Sequence, residues 1–275
     1  MEKLTIRSGK PIELDFGDKD CIIFDLKNEI SASKGLYVLD ADNGVGKSTL
    51  LSILSLIHAP VIEEDTIVFS TETDYDYKYL YSPQGLKEQI RIRMEEMVII
   101  TQEPFMLPLT IGDNMRILGL GEKEIDTIMN LIHNKFPSLS ASSKITSLSG
   151  GQMQRVFIEM MFGRIKPDRN HVIFIDEPFN NLSDDNKEIL LDKIKKFAED
   201  NLVIMIDHSI PHNCLEKYTA SSTDITAKRK HIPENNKLNS DETEKAGKNI
   251  WMKFIHIKDN SIGSFIDNYK TELQR

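Results

Sequence analysis

Cysteine, long apolar runs and excess positive charge are all scarce in this sequence of 275 residues. Its two cysteines, Cys21 and Cys214, are too few for a disulfide framework and fit a reducing compartment. No stretch approaches the ~20 consecutive apolar residues that a membrane-spanning helix requires. The first residues lack the apolar segment of a signal peptide. If the protein works at a membrane, we therefore expect it to do so from the cytoplasmic side, through a partner.

The charge balance argues against one broad class of partner. The chain has 34 lysines and arginines against 43 aspartates and glutamates, which gives a net charge of −9. A general binder of duplex DNA needs a basic face, so we expect no direct nucleic-acid partner. The hydrophobic share of 40% and the length are ordinary for a soluble globular protein with a sizeable core.

A glycine-containing loop lies between a predicted strand and a predicted helix. The apolar run 36–39 is typical of a buried strand, and a helical apolar period begins at Leu50. The N–H groups of such a loop and of the helix that follows can surround an anion. Lys47 can reach the β- and γ-phosphates of a nucleotide, and Ser48 can ligate Mg²⁺. The residues assigned to these contacts are Asn43, Gly44, Val45, Gly46, Lys47, Ser48 and Thr49.

Two carboxylates follow another apolar run. Asp176 and Glu177 come directly after the predicted strand 172–175. A carboxylate at the carboxyl end of a strand, beside a phosphate loop, can hold the same Mg²⁺ as Ser48, and we assign this role to Asp176. Glu177 is placed to orient or deprotonate an attacking water. The alternative is a solvated pair of acidic residues in a turn.

The most specific stretch of the sequence is Leu148-Ser149-Gly150-Gly151-Gln152. Its adjacent glycines precede a helix predicted to start near Gln152, so exposed N–H groups and the Ser149 hydroxyl form a second anion site. One nucleotide has no evident need of two such sites from one chain. The economical explanation is that this second site serves a nucleotide held by another subunit.

These motifs, in this order, resemble the nucleotide-binding subunit of ATP-binding cassette (ABC) transporters. The loop 41–49 resembles the Walker A motif, 148–152 matches the LSGGQ signature, and 173–178 resembles Walker B with its catalytic glutamate. The order and spacing agree from about residue 4 to residue 209. The resemblance implies ATP and Mg²⁺ as ligands. It also implies a dimer in which each signature closes the partner's nucleotide site.

The resemblance also assigns roles to residues outside these motifs. Gln102 falls in the Q-loop position, where it would sense the γ-phosphate and Mg²⁺ and couple to the transport partner. His208 follows a predicted strand, as the switch histidine does, and would contact the γ-phosphate and the water. Phe16 is assigned to stacking on the adenine, with Phe24 and Tyr37 as competing aromatic residues.

The chain departs from the family pattern at several positions. Ala41 replaces the first glycine of the phosphate loop. After Pro178 the family usually reads Thr-Ser-Ala-Leu-Asp, whereas this chain has Phe-Asn-Asn-Leu-Ser at 179–183. Ser183 therefore stands where the D-loop aspartate belongs, which leaves open how two nucleotide sites would communicate.

Strands and helices alternate along the chain, and several strands are apolar on both faces, which predicts a largely parallel sheet covered by helices. With the resemblance, the expected fold is α/β: a RecA-like P-loop NTPase core with a mostly parallel sheet, an antiparallel β part and a helical subdomain. Residues 1–102 and 165–275 are assigned to the core and 103–164 to the helical subdomain with the signature. The polar segment 219–248 predicts a mobile insertion within the core.

The expected function is that of a subunit that binds and hydrolyses ATP. It would dimerise around two ATP·Mg²⁺ with a second ATP-binding subunit, identical or different, and power transport by a separate transmembrane subunit at the inner face of the cell membrane. One alternative is a soluble ABC-type ATPase acting on nucleic acid or ribosomes, although such proteins usually carry coiled-coil inserts, and this chain has no heptad stretch. Another is a regulatory cassette with weak turnover, which Ala41 and Ser183 suggest.

Overall fold

The computed structural model of the chain describes residues 3–8, 12–15, 20–25, 30–40, 46–59, 67–70, 74–180, 182, 184–207, 219–231 and 250–258. The strands of this part are β1 (Lys3–Ser8), β2 (Ile12–Asp15), β3 (Asp20–Asp25), β4 (Ile30–Ser33), β5 (Gly35–Asp40), β6 (Ile67–Ser70), β7 (Asp74–Asp76), β8 (Met97–Ile100), β9 (Val172–Asp176), β10 (Leu202–Ile206), β11 (Thr219–His231) and β12 (Ile250–Lys258). The α-helices are α1 (Lys47–Leu54), α2 (Tyr77–Leu80), α3 (Leu86–Arg91), α4 (Ile111–Ile117), α5 (Glu122–Lys135), α6 (Gly150–Gly163) and α7 (Asp184–Ala198).

Most of these strands form one eight-stranded sheet in the order β2-β3-β11-β12-β5-β10-β9-β8. The pairs from β5 to β8 are parallel, and the pairs from β2 to β5 are antiparallel. A second, antiparallel sheet has the order β4-β1-β6-β7. The expected α/β class, with a parallel part and an antiparallel part, is confirmed. Among the helices that the structure describes, none combines the length and apolarity needed to cross a membrane.

Successive side chains of a strand point to opposite sides of the sheet, and each side is covered, so the parallel strands are buried on both faces. On one side, Phe174 and Ile204 pack with Leu50 and Leu54 of α1 in what we call the first core. On the other side, the neighbouring strand residues pack with α6 and α7 in the second core, which contains Ile173, Val203, Phe157 and Leu190. This arrangement explains why these strands have continuous apolar sequences rather than alternating ones.

The helical part has a hydrophobic core of its own. In this third core, residues of α4, α5 and α6 pack together, among them Ile111, Ile128, Val156 and Met160. Thr110 caps α4, since its side-chain oxygen accepts a hydrogen bond from the backbone N–H of Asp113 at 3.1 Å. A separate core is what a subdomain needs in order to move as a unit. The third core therefore supports the predicted helical subdomain 103–164, whose boundaries stay a prediction.

The prediction of a mobile insertion over 219–248 is wrong for its first half. Thr219–His231 forms β11, which pairs with β12 on one edge and with β3 on the other. Residues 219–227 of this polar segment pair with β12 and residues 226–231 pair with β3, so every residue of the strand has a partner strand, and composition alone cannot reveal such pairing. β12 in turn pairs with β5, the strand that leads into the phosphate loop. The remainder of the predicted insertion lies outside the described residues.

Gly85 provides a test of the packing around α2 and α3. It is buried, and a Cβ at this position would lie 1.9 Å from the carbonyl oxygen of Tyr79, so the backbone would have to move. We expect Gly85→Ala to lower the free energy of unfolding by about 1–3 kcal/mol, measured by urea unfolding. The matched control is Gly151→Ala, where a Cβ would meet nothing within 4 Å. Equal stabilities of the two variants would contradict this account of the packing.

Candidate active site

The parallel strands end in register at one edge of the sheet. Ile206 of β10 lies opposite Leu39 of β5 on one side and Asp176 of β9 on the other. Ile100 of β8 lies opposite Ile175 in the same sheet. The described residues that follow β8, β9 and β10, which include Gln102, Glu177 and Asp207, therefore lie at the carboxyl edge, which is where open α/β sheets bind their ligands.

The start of α1 is built to receive an anion. Gly46, the residue before the helix, has a φ of 95°, in the left-handed region that favours glycine. The first turn of α1 contains no acidic residue that would compensate the positive end of the helix. Lys47 is only 6% exposed, and a buried cation at a helix N-terminus fits a phosphate group. Ser48 is exposed and Thr49 half-buried on the same first turn.

Glu177, the residue that follows β9, has an unusual backbone conformation. Its φ is 46°, which is uncommon for a residue other than glycine. Its backbone N–H donates to the carbonyl oxygen of Ile206 at 2.8 Å, and this bond ties the turn to β10. Backbone strain of this kind clusters at active sites, where the surrounding structure holds it in place. The conformation therefore supports a functional role for this carboxylate over a solvated turn.

The structure brings Gln102 and Glu177 together, although they are distant in sequence. The Gln102 Nε2 donates a hydrogen bond of 2.8 Å to the Glu177 Oε2. The amide nitrogen is used in this bond, so the amide oxygen is the Gln102 atom suited to a metal. With the Ser48 hydroxyl and the Asp176 carboxylate it makes a set of oxygen donors, which Mg²⁺ prefers. These three residues fit the metal that the sequence predicts.

Two further residues, which the sequence motifs do not indicate, belong to this site. The Asn180 Nδ2 donates to the Glu177 Oε2 at 2.6 Å. The Asp207 Oδ2 accepts from the backbone N–H of Phe179 at 3.4 Å. The only signals in the sequence were the departure from the family's serine at 180 and the position of Asp207 just before His208.

The signature stretch begins α6, two residues earlier than predicted. The Ser149 Oγ accepts from the backbone N–H of Gln152 at 3.3 Å, and the Gln152 Oε1 accepts from the Ser149 N–H at 2.9 Å. This reciprocal pair is a capping box, and it leaves the Ser149 hydroxyl proton available for an anion. Gly150 and Gly151 are exposed, and a Cβ on either would meet nothing within 4 Å. Packing against the described part of the chain therefore does not require glycine at these positions.

The two candidate anion sites belong to different parts of the chain. Leu148 packs against the third core, whereas α1 packs in the first core. Tyr37 is buried in the first core at 7% exposure, which removes it as a candidate for adenine stacking. The assigned residues that lie outside the described part of the chain are Phe16, Asn43, Gly44, Val45 and His208.

Comparison with known proteins gives a family for this arrangement. The family model described as ABC transporter matches residues 31–180, which is more than half of the chain. The chain belongs to the ABC transporter family. It is an ATP-binding cassette of this family, whose members bind ATP with Mg²⁺ and hydrolyse it.

Individual relatives agree with this assignment. The lipoprotein-releasing system ATP-binding protein LolD from Aquifex aeolicus is 28% identical over 200 residues, which cover 68% of this cassette and 84% of LolD. The ATP-binding protein Uup from Buchnera aphidicola is 25% identical over 223 residues, which cover 79% of this cassette and 30% of Uup. This cassette thus spans less than a third of Uup.

A solved structure supports the fold. The dimeric structure of MJ0796, a bacterial ABC transporter cassette, matches with a TM-score of 0.56 at 21% identity and covers 75% of this cassette and 88% of MJ0796. The predicted RecA-like P-loop fold is therefore confirmed.

The open space around Gly151 leads to a test of the signature. We expect Gly151→Ala to lower the ATPase rate by about 10-fold or more, because an added methyl group obstructs close approach of a phosphate to the backbone. The unfolding midpoint should stay the same or rise slightly, since alanine favours the helix. The measurement is phosphate release together with urea unfolding. An unchanged rate would contradict a ligand contact at this glycine.

Proposed function

We propose that the chain is the ATP-hydrolysing subunit of a transporter, working as a dimer at the inner face of the cell membrane. The observation that carries this proposal is the presence of two complementary half-sites on one chain. One half-site comprises Lys47, Ser48, Asp176 and Glu177, and the other is the exposed signature 149–152. Two copies placed face to face would let each signature complete the other copy's site. The dimeric cassette MJ0796 supports such an arrangement.

The proposed reaction is hydrolysis of the terminal phosphoanhydride bond of ATP. A water oxygen attacks the γ-phosphorus, the bond from that phosphorus to the bridging oxygen of the β-phosphate breaks, and its electron pair leaves with ADP. Glu177 accepts the proton of the water. Lys47 and the partner copy's signature N–H groups stabilise the negative charge of the transferred group. Mg²⁺ bound by Ser48, Asp176 and Gln102 would supply further positive charge beside the phosphate oxygens.

ATP also acts as the ligand that favours the closed dimer. A ligand held by both half-sites binds only the closed state with full affinity, so it shifts the equilibrium toward closure. Hydrolysis removes that preference and lets the dimer reopen. His208 and Phe16 keep their proposed contacts to the γ-phosphate and to the adenine, and Asn43, Gly44 and Val45 keep theirs to the phosphates.

An exposed apolar groove supports a separate transmembrane partner. It has a volume of about 500 Å³ and lies between the core and the helical part, where Thr101, next to Gln102, lines it. Among its lining residues, Phe105 is 79% exposed, and Ile90, Met94 and Ile117 are each more than half exposed. Concave apolar surfaces of this kind mark interaction sites. We propose that the transmembrane subunit docks here, so that changes at Gln102 reach it directly.

The first test removes the proposed base. We expect Glu177→Gln to abolish turnover, a loss of about 100-fold or more, because an amide cannot accept the proton of the water. ATP binding should persist, and the variant should accumulate as an ATP-bound dimer in size-exclusion chromatography. The control is Glu103→Gln, an exposed carboxylate next to Gln102. A normal ATPase rate in Glu177→Gln would refute the assignment.

The second test addresses the groove. We expect Phe105→Asp to reduce co-purification of the chain with its membrane subunit by about 10-fold, because a charge in an apolar contact is costly to desolvate. The ATPase rate of the isolated chain should not change. Leu131→Asp is the control, since Leu131 is half exposed on α5 and does not line the groove. Equal co-purification of the two variants would rule out the groove as the docking site.

A further inference from the structure

The carboxylate of Glu177 is held by two amide groups that donate to the same oxygen atom. The Gln102 Nε2 lies 2.8 Å from the Glu177 Oε2, and the Asn180 Nδ2 lies 2.6 Å from it. An ionised carboxylate oxygen can accept both bonds because it has two lone pairs. Neither bond uses the Oε1 of Glu177. The two amides therefore define which oxygen of the carboxylate can face a water.

Asn180 reaches Glu177 because a tight turn joins them. The backbone N–H of Asn180 points back to the carbonyl oxygen of Glu177 at 3.5 Å. Between them, the Phe179 side chain is 1% exposed and packs in the second core. The Phe179 N–H donates to the buried Asp207 carboxylate. Phe179 is thus held both by its buried side chain and by its N–H, which keeps the neighbouring Asn180 amide close to Glu177.

Gln102 has a second proposed role at the site, whereas Asn180 has none. The amide oxygen of Gln102 is assigned to the metal, and Gln102 is exposed at the end of β8. Asn180 is half-buried and has no second assignment at the site. A rotation of Gln102 toward its other contacts would leave Asn180 as the amide that restrains the carboxylate.

We propose that Asn180 is a positioning residue for Glu177. By holding the Oε2 it presents the Oε1 to the attacking water and keeps it there while Gln102 serves the nucleotide. The usual family sequence has serine at this position, and the resemblance itself assigns no role to Asn180. The inference rests on the proposed function, since it assigns a partner to the proposed base.

The test replaces the donor of Asn180 without changing its shape. In Asn180→Asp a carboxylate oxygen that cannot donate would face the Glu177 oxygen, and the two groups would repel. We expect kcat for ATP hydrolysis by the chain to fall by about 10-fold to 100-fold, while KM changes by less than about 3-fold, because misplacing a reacting group affects the chemical step more than binding. The variant should also accumulate as an ATP-bound dimer in size-exclusion chromatography.

Further variants separate positioning from structure. Asn180→Ala should be slow, whereas Asn180→Ser, which keeps a donor, should recover part of the lost kcat. Asn186→Asp is the matched control, because it makes the same chemical change at the start of α7, where the Asn186 oxygen accepts from Lys135 and the new carboxylate can do the same. This control should hydrolyse ATP at the wild-type rate.

Several outcomes would overturn the proposal. One is a wild-type kcat in both Asn180→Asp and Asn180→Ala. Another is a fall in kcat that is matched by a rise in KM and a lower unfolding midpoint, which would make the residue merely structural. If the wild-type chain itself hydrolyses no ATP, the proposed function fails, and the role of Asn180 fails with it.

Discussion

The parallel pairing of β5, β10, β9 and β8 is the constraint on which the site depends. Because Leu39, Ile206 and Asp176 share one register, the segments after these strands emerge together at a single edge. These strands are apolar on both faces, so the close fit of their individual side chains in the two cores holds the register. The register in turn places the residues of the site.

Glu177 and Lys47 lie close to well-packed cores, which hold a strained backbone conformation at the first and a buried charge at the second. Glu177 keeps a left-handed backbone conformation because its N–H is bonded to β10 and the turn after it is anchored by buried Phe179. Lys47 remains buried at the start of a helix with no acidic residue in its first turn. The strained conformation of Glu177 costs stability, and strain of this kind is kept at functional sites where the surrounding structure holds it in place.

The helical part, which comprises α4, α5 and α6, contains the signature and not the residues of this edge. It has its own cluster of buried side chains, and no described residue lies within 4 Å of a Cβ built on its signature glycines. Its proposed contact with a nucleotide therefore depends on a second copy of the chain. The groove between it and the core runs past Thr101, beside the Gln102 that also contacts Glu177. A partner seated in the groove would thus contact a segment that is one hydrogen bond from the proposed base. This short connection would give the proposed ATP hydrolysis a physical route to the proposed partner.

The sequence by itself determined the motif order, the buried strands and the family, because glycine spacing, apolar runs and carboxylates at strand ends are local patterns. It predicted Lys47, Ser48, Asp176, Glu177 and the signature from such patterns. Only the tertiary structure decided that residues 219–231 form the strand β11, because a polar composition does not reveal that a segment pairs with β12 and β3. It alone joined Gln102 and Asn180 on one oxygen of Glu177 and left Gly150 and Gly151 in open space. Contacts between distant segments and the space around a residue depend on the whole packing, so no local pattern could predict them.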